Sequence, residues 1–149
     1  MYKVTSKITK LDAVRKVAEQ KANSSARKMA EAREKQQRDQ QQLSQLRAFY
    51  DEYLEQFEQL SESGMSVSQL LDFRVFLDGL EEAIYQTEQQ ITDSSRELHE
   101  RQTEWVEKKS YSDSIADFEK RLQQQAVLER SRQSQKEIDN RPLPPSLFD

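Results

Sequence analysis

The residues of this sequence that could carry out catalysis or bind a metal are few and scattered. It contains one histidine, no cysteine and two glycines among 149 residues. Without cysteine there is no thiolate nucleophile, no disulfide and no thiolate metal ligand. Gly64 and Gly79 stand fifteen residues apart, too far to form a glycine-rich loop that cradles a phosphate. These absences remove most templates for an enzyme active site.

The remaining acid–base candidates fall on what should be a solvated helix surface. His99 follows Leu98, a residue of the apolar repeat described below, so its ring should face water rather than a ligand. Glu81 and Glu82 are sequence neighbours, and neighbouring side chains on a helix do not converge on one point. We therefore predict that the protein is not an enzyme and holds neither a metal nor a cofactor.

The composition indicates an elongated helical protein. Hydrophobic residues make up 34% and charged residues another 34%, with only two Gly and three Pro. Such a chain can line a narrow seam but cannot fill a broad core. No apolar run approaches the roughly 20 residues that span a bilayer, and the first residues lack a signal-peptide core. We expect a soluble protein that stays where it is made, and the absence of cysteine fits a reducing cytoplasm.

Two heptad repeats organise the chain, and a polar break at residues 61–66 separates them. In the first repeat, position a begins at Ile8 and position d at Leu11. The a and d residues nearest the break are large and apolar, namely Leu43, Leu46, Tyr50, Tyr53, Phe57 and Leu60. The repeat predicts a helix over about residues 4–61, with a seam that turns polar at Gln36 and Asp39.

The second repeat predicts a helix over about residues 67–139. Gly64 should cap the first helix in the left-handed conformation, and Ser66 with Gln69 has the spacing of a capping box. The a and d residues after the break are Leu70, Phe73, Leu77, Leu80, Ile84 and Thr87. The seam weakens halfway and recovers at Ile115, Phe118 and Leu122. Pro142 should end the helix, because proline disfavours the helical region for the residue before it.

The short connection forces the two helices to run antiparallel. The expected fold is therefore all-α, a long two-helix antiparallel coiled-coil hairpin with its turn near residues 61–66 and a single domain over residues 1–139. Facing positions should sum to about 130, which pairs Phe57 with Phe73 and Tyr53 with Leu77. Trp105 falls at an a position and is expected in the core rather than in a binding hot spot. Residues 140–149 should form a proline-rich, disordered tail, with a short docking peptide as the alternative.

Charge is distributed unevenly along the chain. Residues 1–35 carry ten Lys or Arg against four Asp or Glu, whereas residues 61–107 carry three against eleven. A hairpin folded at Gly64 would bring both termini to one end, near +7, and leave the turn end near −11. Two ends with net charges of opposite sign are suited to binding two different partners. The alternative is a solvated surface whose charge is merely uneven.

Aromatic residues beside the seam are the best candidates for binding. Phe49 and Phe76 fall at g positions on opposite helices, with Tyr50, Tyr53 and Tyr85 nearby. A two-stranded seam cannot bury that many rings, and exposed aromatic clusters often mark a binding surface. The alternative is that these rings only widen the seam.

Short strings over residues 5–139 occur in a recognisable order. Among them are Leu11-Asp12, Ala30-Glu31-Ala32, Gly64-Met65-Ser66, Trp105-Val106-Glu107 and Gln135-Lys136-Glu137-Ile138-Asp139. Together with the length and the glycine turn, this order resembles the FliJ family. These are small cytoplasmic proteins of the flagellar type III export apparatus.

The resemblance implies a coiled coil similar to the central stalk of rotary ATPases. In the family, the end with both termini enters the hexameric export ATPase and promotes its ring assembly and activity. The other end reaches the cytoplasmic domain of the export-gate membrane protein and helps to couple proton motive force to export. Family members are also linked to the cycling of export chaperones. The protein is thus expected in the cytoplasm, at the inner membrane of the flagellar base, without inserting into the bilayer.

The resemblance also implies which residues bind each partner. The gate-binding patch of the family maps onto Gln42, Leu46, Phe49, Tyr53, Phe76, Leu80, Ala83 and Thr87. Four of these fall at a or d positions, so a binding role is most direct for Phe49 and Phe76. The basic residues of the terminal end, which could complement an acidic ATPase pore, are Lys7, Lys10, Arg15, Lys16, Arg130, Arg132 and Lys136.

Three alternatives remain at this stage. The equivalent stalk of a virulence type III secretion system would have nearly the same sequence pattern. A nucleic-acid-binding hairpin is disfavoured, because the basic residues are interspersed with acids and the net charge is −4. A generic coiled-coil spacer is the default if the resemblance misleads.

Overall fold

Two long α-helices account for nearly all of the structure. The computed structural model describes residues 2–142, with only the backbone at Tyr2 and Val4. Helix α1 spans Tyr2–Ser63 and helix α2 spans Val67–Asp139, and no strand occurs in this range. The helices pack against each other, so the protein is an all-α helical hairpin, as the two heptad repeats predicted.

The turn between the helices has the predicted chemistry. Gly64 has a φ of +92°, a left-handed conformation that residues with a Cβ rarely adopt. The N–H of Gln69 donates to Oγ of Ser66 at 3.2 Å, and the N–H of Ser66 donates to Oε1 of Gln69 at 3.3 Å. This reciprocal capping box starts α2 at Val67. Both the glycine cap and the capping box are confirmed.

Burial along the helices follows the heptad phase. From Ile8 to Glu129, every a and d residue except Leu60 is buried or half-buried. Leu60, the last d residue of α1, is exposed, because it lies in the last turn of α1, opposite only the first turn of α2. The rings of Phe57 and Phe73 lie 6.0 Å apart, which confirms the expected pairing of these two residues.

The seam is narrow, and most of its fully buried residues are small. Apart from Leu77 and Glu119, the buried side chains of the described residues are Ala18, Ala22, Ser25, Ala32, Thr87, Ser94 and Ser112. Small residues let two helix backbones approach closely, and they leave the larger side chains beside the seam partly in water. Phe118, which was expected in the seam, is 52% exposed, because it occupies a g position beside the buried Glu119.

The structure divides into two compact units, each containing parts of both helices. The turn unit spans Ser25–Trp105, and the terminal unit consists of Met1–Ser24 and Val106–Asp149. The turn unit carries nine Lys or Arg against seventeen Asp or Glu, a net charge of −8. The terminal unit carries fourteen against ten, a net charge of +4. The two units therefore differ in the sign of their charge.

The C-terminal end of α2 is fully exposed. All residues from Arg130 to Pro142 are solvent-accessible, and the helix ends at Asp139, as expected for a chain that meets proline three residues later. Of the proline-rich tail predicted at residues 140–149, the part from residue 143 onward lies outside the described residues. Within residues 2–142, neither helix has a segment long and apolar enough to cross a membrane.

Candidate partner-binding surfaces

One flank of the seam in the turn unit is closed by polar contacts between the helices. The guanidinium of Arg47 donates to Oε1 of Glu88 at 2.9 Å, and the hydroxyl of Tyr50 donates to Oε1 of Glu81 at 2.8 Å. The hydrogen bond to Glu81 raises the pKa of Tyr50, because a phenolate facing that carboxylate would be repelled. Arg47, Glu81 and Glu88 all occupy e positions, so this flank is polar and its charged groups already have partners across the seam.

The opposite flank of the turn unit is aromatic and open. Phe49 and Phe76, at g positions, are 52% and 45% exposed. The ring of Phe76 lies 4.4 Å from that of Tyr53, centroid to centroid, with the planes inclined by 44°. Tyr53 in turn lies 6.4 Å from Phe73. One side of Phe76 is therefore held by the aromatic cluster of the seam while much of the ring stays in water.

The other residues of the expected gate-binding patch differ in how accessible they are. Gln42 is exposed, and the half-buried members are Leu46, Tyr53, Leu80 and Ala83. Thr87 is only 3% exposed, and its Oγ1 donates to the carbonyl of Ala83 at 2.8 Å. All eight residues lie in the turn unit, at d and g positions of the heptads. These d and g positions thus form one stripe along the turn unit. Within it, Gln42, Phe49 and Phe76 reach solvent, whereas Thr87 lies inside the seam.

The middle of the turn unit has a polar seam. The side-chain amide of Gln36 donates to Oγ of Ser95 at 2.9 Å, and Nζ of Lys35 lies 3.7 Å from Oε2 of Glu97. The buried Oδ2 of Asp39 has no hydrogen-bond partner. His99 is exposed, in agreement with its expected place outside the seam. Lys35 and Glu97 also line an open groove of about 460 Å³, together with Lys28, Glu31, Ala32, Glu34, Arg38 and Arg101.

The basic residues expected to meet an ATPase are exposed, with one exception. The exposed residues are Lys7, Lys10, Lys16, Arg130, Arg132 and Lys136. Arg15 is half-buried instead, and its guanidinium lies 2.6 Å from Asp12, 2.8 Å from Glu19 and 2.6 Å from Glu119. These carboxylates raise the pKa of Arg15, and Arg15 in turn lowers the pKa of Asp12. Three carboxylates already surround the charge of Arg15.

The contact between Arg15 and Glu119 is a charge contact across the seam. Glu119 is buried, and Nε of Arg15 lies close to its Oε2, yet off the line that a hydrogen bond requires. Both residues occupy a positions, where apolar residues are usual. The pair therefore fills a polar layer of the terminal unit and compensates a buried carboxylate.

The sequence reasoning did not single out an apolar groove in the terminal unit. The groove has a volume of about 340 Å³ and is lined by Ala13, Val14, Val17, Ala18, Lys21 and Tyr111. Val14 and Val17 are 43% and 49% exposed, and Tyr111 is 55% exposed. The signal was present in the heptads, because Val14 and Tyr111 share position g with Phe49 and Phe76. Among the described residues, no group of three or more His, Cys, Asp or Glu could hold a metal ion.

Residues 6–141 match the family described as Flagellar FliJ protein. The chain belongs to the FliJ family. FliJ proteins are non-catalytic components of flagellar export, so this FliJ protein is related to flagellar protein export. The matched range includes every residue of the aromatic flank and of the groove. No curated protein and no solved structure matches the chain.

Proposed function

We propose that this FliJ protein is a stalk-like component of flagellar type III export that joins a hexameric export ATPase to the membrane export gate. It acts in the cytoplasm at the inner membrane of the flagellar base, promotes assembly and activity of the ATPase, and takes part in the cycling of export chaperones. Membership of the family supports this assignment. The proposal needs no chemistry from the protein itself.

The observation that carries the proposal is the opposite charge of the two units, each with its own exposed apolar surface. The turn unit has a net charge of −8 and presents the rings of Phe49 and Phe76. The terminal unit has a net charge of +4 and presents Val14, Val17 and Tyr111. A plain spacer has no reason to expose such surfaces, whereas a coupling protein needs two dissimilar ones.

The turn unit is the proposed site for the cytoplasmic domain of the export gate. Aromatic side chains at the centre of an interface often contribute most of its binding energy. Phe76 is pre-positioned by its contact with Tyr53, which reduces the conformational entropy lost when a partner covers it. In this proposal Gln42, Phe49 and Phe76 touch the gate, and the buried Thr87 keeps the helix surface in place.

The terminal unit is the proposed site for the export ATPase. Its exposed lysines and arginines would attract an acidic surface of the ring and increase the rate of encounter. Lys7, Lys10 and Lys16 lie on α1, whereas Arg130, Arg132 and Lys136 lie on the exposed end of α2. Arg15 has a different role in this proposal, because it neutralises Glu119 inside the seam.

The direct test is to mix the purified protein with its cognate export ATPase at low ionic strength. Low salt preserves the attraction between exposed charges. We expect a higher rate of ATP hydrolysis and a larger fraction of hexameric rings by electron microscopy. If neither the hydrolysis rate nor the fraction of rings changes, even when this protein is in molar excess over the ATPase, the stalk function is refuted.

A further inference from the structure

A single face of α1 in the terminal unit combines exposed apolar residues with basic ones. Along this face, residues recur at alternating spacings of three and four, in the order Lys7, Lys10, Val14, Val17 and Lys21. Because such spacings bring side chains to one side of a helix, the two valines lie between lysines in both directions. All five side chains are exposed or line the groove.

The lysines of this face are available to a partner. Among the described residues, no ion pair involves Lys7, Lys10 or Lys21. On a neighbouring face, by contrast, Lys16 lies 3.2 Å from Asp12. Three positive charges without an ion-pair partner in residues 2–142 therefore flank an apolar strip.

Helix α2 supplies the other wall of the groove. Tyr111 lines it, and Phe118, two turns further along α2, is also exposed. Ala18 and Ser112 are both buried in the seam of this unit, and they are too small to fill the space above it. The groove is consequently shallow and apolar, with Lys21 in its lining and Lys7 and Lys10 further along the same face of α1.

We propose that this groove binds an acidic amphipathic segment of the export ATPase, whose apolar residues contact Val14, Val17 and Tyr111 while its carboxylates meet Lys7, Lys10 and Lys21. The inference rests on the proposed function and adds where the affinity arises. Apolar contacts in the groove provide most of the binding energy, and the lysines provide orientation and a faster encounter. Charge complementarity identifies the occupant, because the lysines along this face of α1 disfavour a second copy of the same basic unit.

The test compares affinities of full-length variants for the purified cognate ATPase by isothermal titration calorimetry. The groove variant is Val14→Gln/Val17→Gln, which removes apolar surface and keeps the helix, since Gln is a better helix former than Val. The matched control is Val75→Gln/Val106→Gln, which replaces two valines that are more exposed and lie outside the groove. We expect the groove variant to bind at least tenfold more weakly than wild type and the control to bind like wild type.

A second set of variants tests the lysines. Wild-type affinity for the ATPase should fall as the salt concentration rises. The triple variant Lys7→Gln/Lys10→Gln/Lys21→Gln should make this salt dependence weaker, whereas Lys120→Gln, on another face of this unit, should leave the salt dependence nearly unchanged. If wild type binds the ATPase and the groove variant binds equally well, the groove proposal is overturned and the stalk proposal stands. If wild type does not bind, both are overturned. Far-ultraviolet circular dichroism confirms that each variant remains helical.

Discussion

The ring of Phe76 on α2 lies 4.4 Å from the ring of Tyr53 on α1, and yet Phe76 remains 45% exposed. Phe76 is therefore both a structural neighbour of the seam and an accessible surface. Phe49 is 52% exposed and has no ring contact among the described aromatic pairs. The two phenylalanines of the proposed gate-binding surface should thus respond differently when they are removed.

Replacing Phe49 and Phe76 by alanine should weaken binding to the cytoplasmic domain of the gate while the protein stays folded. A hot-spot aromatic contributes about 2 kcal/mol, so we expect roughly a 30-fold loss of affinity for each single variant and a larger loss for the double variant. Phe76→Ala should also lower the free energy of unfolding by about 1 kcal/mol, because it loses the pair with Tyr53, whereas Phe49→Ala should change it less.

The control for this prediction is Leu71→Ala/Val75→Ala, which removes two exposed aliphatic residues of the same unit outside the aromatic flank. Its gate affinity should equal that of wild type. A large loss of helicity in Phe49→Ala/Phe76→Ala, measured by circular dichroism, would show instead that the rings are structural.

The two glycines should respond in opposite directions to alanine. Gly64→Ala places a Cβ at a φ of +92° and should destabilise the protein by about 1–2 kcal/mol, although the space around it is open. Gly79→Ala lies inside α2 with no atom within 4 Å of the new Cβ, so it should stabilise by about 1 kcal/mol. Urea unfolding at 25 °C measures both changes. Equal effects of the two substitutions would contradict the assignment of Gly64 as the helix cap.

Asp39→Leu should stabilise the turn unit. Asp39 occupies a d position, and its buried Oδ2 has no hydrogen-bond partner. Removing an unsatisfied, buried oxygen and adding apolar surface should raise the free energy of unfolding by about 1–2 kcal/mol. Asp93→Leu, on an exposed position, serves as the comparison and should have little effect on urea unfolding.

Removing Arg15 should destabilise the terminal unit more than removing Arg15 and Glu119 together. Arg15→Leu leaves the buried carboxylate of Glu119 without its cation, whereas Arg15→Leu/Glu119→Leu replaces the pair by apolar residues at a positions. Thermal melts should therefore rank the double variant above the single one. The reverse order would mean that the contact across the seam contributes little.

Much of the fold could be predicted because it depends on periodicity and on two local signals. The heptad phase correctly separated the half-buried Tyr53 from the exposed Phe49, although both are aromatic. The capping residues Ser66 and Gln69 act within one helical turn, so their spacing alone was sufficient. Neither prediction required knowledge of which residues meet across the hairpin.

The features that were missed depend on contacts between the helices. Phe118 was predicted in the seam because it is large and apolar, but the buried position next to it is occupied by Glu119. Glu119 is tolerated there because Arg15 reaches it, and the same contact makes Arg15 a poor candidate for a free cation. The groove beside Val14 forms where Tyr111 lies opposite to it, so predicting it required a comparison of the g positions of both helices.

The central claim is that the terminal unit meets the ATPase and the turn unit meets the gate. Site-specific photo-crosslinking in cells tests it most directly, with benzoylphenylalanine in place of Tyr111 or of Phe49, both exposed aromatic residues. We predict an adduct with the export ATPase from position 111 and an adduct with the export-gate protein from position 49. Two results would contradict the account. One is an adduct with the gate protein from position 111 and with the ATPase from position 49, and the other is the absence of any adduct with these two proteins at both positions.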